Sequence, residues 1–357
     1  MQTVNQGWLL LKNKKAVALI CLFLITIVGI VVHTQLWVFD TAEEDIYYVW
    51  LEGKRLLAGE NPYARILLGN MRENDKYATY FPLFYWLSAL TQLLGFRDYS
   101  TWLAFWRPVF LMFNIGIAGL IFSRLNKNNL FTVGLFAALF WLLNRWTLHV
   151  TQIAHIDFVP VFFLLSSLMT FKRYRYTSLL LFSLSLAFKQ IAVFLIPLYL
   201  IWVWQATERE KVKNVAIALL IILSIPLITS IPFLLWNAEG FFKSILFSAT
   251  RNPGGHFNVS SLDDFIGEAF PEFVGLKAKL PMLFLMGLVY LSALRGKIGI
   301  YMSALLTLSV FVDFNSVLFR QYFVWTVPLL PLALCDFVSP ISLNKEINQT
   351  KELELVR

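Results

Sequence analysis

Residues 16–45 read AVALICLFLITIVGIVVHTQLWVFDTAEED, a long apolar run that ends in a cluster of acidic residues. An apolar run of about 20 residues is long enough to cross the hydrocarbon core of a bilayer as a helix. Hydrophobic residues make up 58% of the 357-residue chain, and similar apolar runs recur along it. The sequence therefore predicts an all-α, polytopic helical membrane protein with about 9–11 membrane segments.

The apolar runs also give the order of these segments. Predicted membrane segments are 16–38, 80–96, 101–123, 130–148, 155–171, 177–204, 215–235, 279–294, 298–314 and 319–338. Segment 177–204 contains Lys189, Gln190 and Pro197, so we expect a broken helix or two short helices there. Non-helical backbone at that depth requires a cavity lined by protein.

The net charge of +8 comes largely from short basic clusters between the apolar runs, a pattern that follows the positive-inside rule and argues against nucleic-acid binding. Lys12, Lys14 and Lys15 precede the first run, which favours a cytoplasmic N-terminus. A full crossing at 80–96 would place the basic residues of 172–175 outside. We therefore predict that 80–96 inserts only partly.

The acidic cluster opens a segment with the pattern of an amphipathic helix on the membrane surface. Thr41 and Glu44 have the spacing of a capping box, and Gly59 marks the end of the helix. Apolar or small residues follow at helical spacing and form its apolar face: Ile46, Val49, Trp50, Gly53 and Leu57.

The carboxylates of this segment allow two interpretations. Glu43 and Glu44 are explained by helix capping and the helix dipole, or by a catalytic or metal-binding role. Asp45 lies one residue past the capping box, next to the apolar face. It is either a solvated acid or a general base that accepts a proton from an attacking hydroxyl.

Three motifs follow one another in this part of the chain: Glu43-Glu44-Asp45, Gly59-Glu60-Asn61-Pro62-Tyr63 and Thr79-Tyr80-Phe81-Pro82-Leu83. Their succession resembles the first loop of the GT-C superfamily of integral-membrane glycosyltransferases. In its mannosyltransferases a D-x-D type motif precedes a G-x-x-P-Y turn and a Y-x-P-L segment. The resemblance implies that Asp45 is the catalytic carboxylate and that Tyr63 and Tyr80 are candidates for substrate binding. Glu43 stands where the first aspartate is expected.

Later elements strengthen the resemblance. They are Phe140-Trp141-Leu142-Leu143-Asn144, His155-Ile156-Asp157-Phe158, and Phe188-Lys189-Gln190 with Pro197. This order is similar to that of the dolichyl-phosphate-sugar glucosyltransferases and mannosyltransferases, where an H-F-Q type element precedes a Y-K-Q type element. Asp157 replaces an amide of that pattern. Asn144, His155, Asp157 and Gln190 thereby become candidates for substrate binding.

Lys189 places an ammonium group among apolar neighbours and therefore needs a partner. It either pairs with Asp157 for structure or contacts the phosphate of a donor as a point charge. Arg107 either stacks on Trp106, anchors lipid headgroups or binds substrate. His155 and Asp157, two residues apart, would point to different faces of a helix, which argues against a metal pair.

The second long loop contains Arg251-Asn252-Pro253-Gly254-Gly255-His256. Its glycines allow backbone amides to approach an anion closely, although a plain turn explains them equally. In the resembling families the corresponding loop covers the lipid-phosphate donor, which makes Arg251 and His256 candidates for donor-phosphate contacts. Arg320 either joins them or marks the membrane interface.

The resemblance implies a GT-C-like catalytic membrane module over 1–260, including a first extracytoplasmic loop at 39–79. The rest of the second loop and the C-terminal membrane helices follow over 261–338, and 339–357 forms a cytoplasmic tail. The implied activity is a hexosyltransferase that moves mannose or glucose from a polyprenyl-phosphate-linked donor to a lipid-linked or glycan acceptor. The resemblance implies no particular cofactor. A divalent cation held by Glu43 and Asp45 stays open, although hard cations need more oxygen ligands than this motif supplies.

Two other classes of function remain open. Buried charges also line the pathways of lipid or solute transporters, whose paired halves carry broken helices in matching positions. A non-catalytic membrane scaffold would leave the acids of the first loop without a role. The short loops favour a prokaryotic plasma membrane with the site facing outside, and an endoplasmic-reticulum membrane stays open as the alternative.

Overall fold

The computed structural model describes residues 2–69, 78–250, 261–270, 272, 277–315 and 318–337, and for 2–13, 248–250, 263–264 and 278 it describes the backbone only. Within these ranges the chain is helical and contains no β-strand, which confirms the predicted all-α class. The α-helices are α1 (Gln2–Thr34), α2 (Asp45–Leu57), α3 (Leu83–Leu93), α4 (Tyr99–Lys127), α5 (Phe131–Leu143), α6 (Arg145–Gln152), α7 (Phe158–Thr170), α8 (Arg175–Phe188), α9 (Ile196–Gln205), α10 (Lys211–Thr250), α11 (Leu262–Ala269), α12 (Leu280–Leu294), α13 (Ile300–Phe314) and α14 (329–337).

Several helices of the bundle are long and apolar enough to cross a bilayer alone. They span Lys14–Val38, Tyr99–Lys127 and Lys211–Phe247. Helices α5 and α6 together pass the same test but are bent by 41°. In the described part of the chain, five further apolar helices of 10–17 residues lie in other predicted membrane segments: Phe158–Thr170, Arg175–Phe188, Gln190–Gln205, Leu280–Leu294 and Ile300–Phe314. The chain is thus a polytopic helical membrane protein, as predicted.

Helix α3 is short. Its 11 residues rise about 16 Å at 1.5 Å per residue, well below the roughly 30 Å of the hydrocarbon core. This length agrees with the prediction that 80–96 does not cross fully.

The basic clusters between the helices gather at one end of the bundle. Helix α4 ends there with Arg124 and Lys127, and the connections near 172–175 and 206–211 meet at the same end. The contacts that join this end are Arg175 to the Ala206 carbonyl at 2.8 Å, Gln205 to the Leu294 carbonyl at 3.0 Å, and Asn128 to the Cys335 sulfur at 3.4 Å. Because these clusters lie at one end of the bundle, they can share one side of a membrane, as the positive-inside rule requires.

The start of α2 differs from the predicted capping box. Glu44 is the N-cap residue and makes no side-chain capping bond. The Thr41 hydroxyl instead bonds the Tyr99 hydroxyl of α4. The capping-box prediction was therefore wrong, because a tertiary contact takes the Thr41 side chain. The helix still begins at Asp45, so this carboxylate lies in its first turn.

One face of α2 packs on α3. The predicted Ile46, Val49, Trp50 and Gly53 are buried on that face. Leu57 is exposed, because the helix ends there and the chain turns at Gly59 with a φ of +79°. Glu52 is buried as well, where its Oε1 accepts bonds from Arg55 at 2.8 Å and Arg65 at 2.9 Å.

The predicted break in 177–204 is confirmed. Helix α8 ends at Phe188, Lys189 adopts an extended conformation, and a 3-10 helix over Gln190–Leu195 leads into α9. Pro197 lies in the first turn of α9, where its missing N–H costs no hydrogen bond. The break leaves Lys189 at the end of the bundle opposite the basic clusters.

Gly53 allows the close approach of α2 to α3. A Cβ at this position would lie 2.9 Å from the backbone nitrogen of Ala89 and even closer to the Ser88 hydroxyl. Backbone atoms of α3 cannot move aside as a flexible side chain can. The small residue therefore fixes the distance between α2, which carries Asp45, and the rest of the bundle.

We expect Gly53→Ala to lower the free energy of unfolding by about 1–3 kcal/mol, because overpacking at a helix contact costs this much. The measurement is thermal unfolding in detergent. The control is Gly287→Ala in α12, where an added Cβ meets nothing within 4 Å. Equal stability of the two variants would contradict the assigned role of Gly53.

Candidate active site

Asp45 is the first residue of α2, and its carboxylate turns toward the bundle. The Tyr80 hydroxyl donates a hydrogen bond to Asp45 Oδ2 at 3.3 Å. His155 Nε2 lies 3.5 Å from the same oxygen. The Asp45 side chain is 34% exposed, so the carboxylate is held by the protein and still accessible from outside.

Tyr80 is held in turn by the main-chain contacts of its own segment. The Tyr63 hydroxyl donates to the Tyr80 carbonyl at 2.7 Å. Gln190 Nε2 donates to the Thr79 carbonyl at 2.6 Å. The Tyr85 hydroxyl accepts bonds from the backbone N–H groups of both Thr79 and Tyr80, at 3.3 and 3.4 Å. The predicted site residues Tyr63 and Gln190 thus position Tyr80.

Burial, followed by the negative charge of Asp45, holds the pKa of Tyr80 well above its usual value. The hydroxyl therefore keeps its proton at neutral pH and remains a hydrogen-bond donor to Asp45.

His155 and Asp157 meet in the turn between α6 and α7. His155 Nδ1 lies 2.8 Å from Asp157 Oδ2, although the two groups are not aligned as a hydrogen bond. The expectation that these side chains point to different faces was wrong, because residues 153–157 form a turn and helix α7 begins only at Phe158. The two residues are therefore close neighbours.

Asp157 is the centre of the buried cluster. Its Oδ1 accepts hydrogen bonds from Lys189 Nζ at 2.7 Å and from Trp325 Nε1 at 2.8 Å. Asp157 is fully buried, and His155 and Lys189 are each 2% exposed. Burial alone would raise the pKa of the Asp157 carboxyl, but the charges of Lys189 and His155 outweigh burial and hold it well below its usual value.

Lys189 pairs with Asp157. This was one of the two interpretations of Lys189 that the sequence allowed. Its ammonium group also lies 5.3 Å from the ring centre of Tyr80 and 5.6 Å from that of Tyr322. Cations at this distance over aromatic rings are attracted by the ring quadrupole. The ammonium is thus enclosed by one carboxylate and two rings.

Arg107 and Asn144 bond to the protein backbone. Arg107 donates to the carbonyls of Trp37 and Phe39, which anchors the chain after α1 to α4. Asn144 caps α6, where its Oδ1 accepts from the N–H groups of Trp146 and Thr147 at 3.0 Å.

Other predicted site residues lie around the cluster. Glu43 is exposed, and Glu44 is the N-cap residue of α2. Arg320 is exposed at the start of the 3-10 helix Arg320–Trp325, which carries Trp325 into the cluster. Arg251 and His256 lie outside the described residues.

Sequence reasoning missed Trp325, Tyr322 and Tyr85. Tryptophan and tyrosine are common at the ends of membrane segments, so composition does not distinguish these residues from interface anchors. Trp325 reaches Asp157 because the 3-10 helix Arg320–Trp325 lies beside the turn that carries His155 and Asp157.

A divalent cation does not fit the described residues. No group of three or more His, Cys, Asp or Glu side chains that could hold a metal ion occurs among them. Hard cations such as Ca²⁺ and Mg²⁺ need about six oxygen ligands, whereas Asp45 Oδ2 already contacts Tyr80 and His155.

Comparisons with known proteins show a weak likeness to solved structures. No protein-family model and no curated protein sequence matches the chain. Among solved structures it is similar to the crystal structure of ArnT from Cupriavidus metallidurans bound to undecaprenyl phosphate, with a TM-score of 0.48 and 14% identity. The likeness covers 97% of this chain and 63% of ArnT, so the chain spans less than two thirds of that protein's length. A likeness at this level assigns no family.

We expect Asp157→Asn to lower the free energy of unfolding by about 3–5 kcal/mol, because it leaves the buried Lys189 ammonium without its anion. Adding Lys189→Met should restore part of this loss, since the unpaired charge is then removed. Unfolding in detergent measures both effects.

The control is Lys213→Met, which removes an exposed ion pair. Its side chain and that of Glu210 are 66% and 63% exposed, against 3% and 0% for Lys189 and Asp157. Exposed pairs contribute about 0–1 kcal/mol. A loss for Asp157→Asn no larger than that of Lys213→Met would show that the buried pair does not stabilise the fold.

Proposed function

We propose that this chain is a membrane glycosyltransferase that moves a hexose, mannose or glucose, from a polyprenyl-phosphate-linked donor to a lipid-linked or glycan acceptor. The observation that carries the proposal is the placement of Asp45. Its carboxylate is about one third exposed, yet two side chains from distant parts of the chain, the partly buried Tyr80 and the buried His155, contact one of its oxygens. An acid that served only to cap or solvate a helix would need neither contact.

Asp45 acts as the general base of an inverting single displacement. Its carboxylate accepts the proton of an acceptor hydroxyl while that oxygen attacks the anomeric carbon of the sugar. The new glycosidic C–O bond forms as the bond between the anomeric carbon and the lipid-phosphate oxygen breaks, and the phosphate leaves with the electron pair. The donor already carries its leaving group, so a nucleotide-binding loop is unnecessary.

The departing phosphate needs positive charge nearby. Arg320 is exposed on the segment that also carries Tyr322 and Trp325, so it is a candidate for this role. Arg251 and His256 of the second loop complete the donor site in this proposal. Lys189 acts chiefly through Asp157, since its ammonium group is bonded to that carboxylate.

The site faces away from the cytoplasm in this proposal. Asp45, His155 and Lys189 lie at the end of the bundle opposite the basic clusters, and the positive-inside rule assigns those clusters to the cytoplasmic side. A lipid-linked donor and acceptor would then meet at the outer face of a prokaryotic plasma membrane, or at the lumenal face of an endoplasmic-reticulum membrane.

A lipid or solute transporter is the second candidate, and the helix breaks favour it. Besides the break at Lys189, helices α5 and α6 are separated at Asn144 by a bend of 41°, and α10 is kinked at Asn237. Broken helices at buried charges are typical of transporters. Tyr80 and His155 both contact one oxygen of the Asp45 carboxylate, which is still partly exposed. This arrangement is better explained by a catalytic base than by a transport pathway.

Asp45→Asn is expected to lower hexose transfer by about 10²–10⁴-fold, because the amide cannot accept the proton of the acceptor. Membranes that contain the protein are supplied with radiolabelled polyprenyl-phosphate mannose or glucose, and labelled glycan or glycolipid is measured. Asp98→Asn is the control, since Asp98 is an exposed carboxylate at a helix start, with no side-chain capping bond.

Equal transfer by the intact chain and Asp45→Asn would reject Asp45 as the base. Movement of the labelled lipid across the membrane without sugar transfer would instead support the transporter.

A further inference from the structure

Both ring nitrogens of His155 face carboxylate oxygens. Nδ1 lies 2.8 Å from Asp157 Oδ2, and Nε2 lies 3.5 Å from Asp45 Oδ2. An ionised carboxylate has no proton to donate, and a neutral imidazole carries a proton on only one nitrogen. Both contacts are attractive only when the ring is an imidazolium.

The side chains then form a row of alternating charge. Asp45 is negative, His155 positive, Asp157 negative and Lys189 positive, with nearest contacts of 3.5, 2.8 and 2.7 Å. The row has no net charge, which reduces the cost of burying its inner members. Only Asp45, at one end, is substantially exposed.

We propose that His155 is a positioning residue that remains an imidazolium through the reaction and holds the Asp45 carboxylate ionised and in one orientation toward the acceptor hydroxyl. This inference rests on the proposed function of Asp45 as the base. An aspartate in the first turn of a helix would otherwise populate several rotamers. A base held in one orientation spends more of its time in reach of the hydroxyl.

The groups around His155 shift the pKa of its imidazole in opposite directions. Burial and the charge of Lys189 lower the pKa of the imidazole, but Asp157 and Asp45 outweigh them, and the net shift is upward. The protonated form therefore persists above the ordinary pKa of histidine and is lost as the pH rises through the shifted value. The other ionisable groups nearby are Tyr80, His149 of α6, and Arg107 of α4, which lines the same small pocket as His155.

A competing role for His155 makes the opposite prediction. If the ring took the proton from Asp45, as in a relay, it would have to be neutral before each reaction cycle. Activity would then increase as the pH rose through the pKa of His155. In the positioning role, activity decreases over the same range.

The test measures kcat and KM for hexose transfer across the pH range in the intact chain and in His155→Gln. We expect kcat of the intact chain to fall on the alkaline side. We expect His155→Gln to lower kcat by about 10- to 100-fold, the effect of losing a hydrogen bond to a charged group, with little change in KM and without the alkaline decrease. A structural role alone would leave the shape of the pH profile unchanged, and this outcome would overturn the proposal, as would a kcat that increases with pH.

A second measurement does not depend on activity. Nitrogen NMR of the full chain labelled at histidine reports whether both ring nitrogens are protonated, and the signal missing in His155→Gln identifies His155. We expect an imidazolium at neutral pH whose pKa decreases in Asp45→Asn, because an opposite charge is removed. Glu239→Gln is the control, since Glu239 is an exposed carboxylate that pairs with Lys243 at 2.7 Å.

A neutral His155 ring at neutral pH, or a pKa equally insensitive to both substitutions, would overturn the positioning role. A third outcome is that neither the intact chain nor any variant transfers sugar, while the His155 ring is an imidazolium whose pKa decreases in Asp45→Asn. The row of alternating charges would then be supported, and the proposed transferase function would be rejected. The two proposals are thus distinguished.

Discussion

The buried carboxylate of Asp157 is the constraint on which the candidate site depends. A fully buried carboxylate is very costly unless it is paired and hydrogen-bonded, and here Lys189, His155 and Trp325 supply the partners. These partners come from the break after α8, the turn before α7 and the last 3-10 helix. Satisfying one charge therefore brings together parts of the chain that are far apart in sequence. Asp45 joins this arrangement through His155.

Helix α3 has a similar influence on the topology. Had it crossed the membrane, the basic end of α4 and the α7–α8 connection would both lie on the side opposite the lysines that precede the first apolar run, and the charge pattern would conflict with the positive-inside rule. Helix α3 has only 11 residues, and α2 packs against it. The same short helix also forms the surface on which α2, with Asp45 in its first turn, is packed.

The sequence predicted what depends on local composition. The apolar runs predicted the helical class, and Lys189 with Pro197 predicted the break between α8 and α9. The prediction that Asp45 lies near the start of a short helix was also correct. Predictions that required knowledge of tertiary partners were less successful. Thr41 bonds Tyr99 instead of capping α2, and His155 and Asp157 lie in a turn where helical periodicity does not apply. Trp325 could not have been found, because a tryptophan near a membrane interface is ordinary.

The pairing of Asp157 with Lys189 also bears on how the chain enters a membrane during synthesis. Helices α7 and α8 have 13 and 14 residues, fewer than the roughly 20 that a solitary spanning helix requires. Asp157 precedes the first and Lys189 follows the second, so the two charges come together only when both helices are in place and antiparallel. The hairpin, rather than either helix, is therefore the smallest piece that the translocation machinery can release into lipid with its charges neutralised.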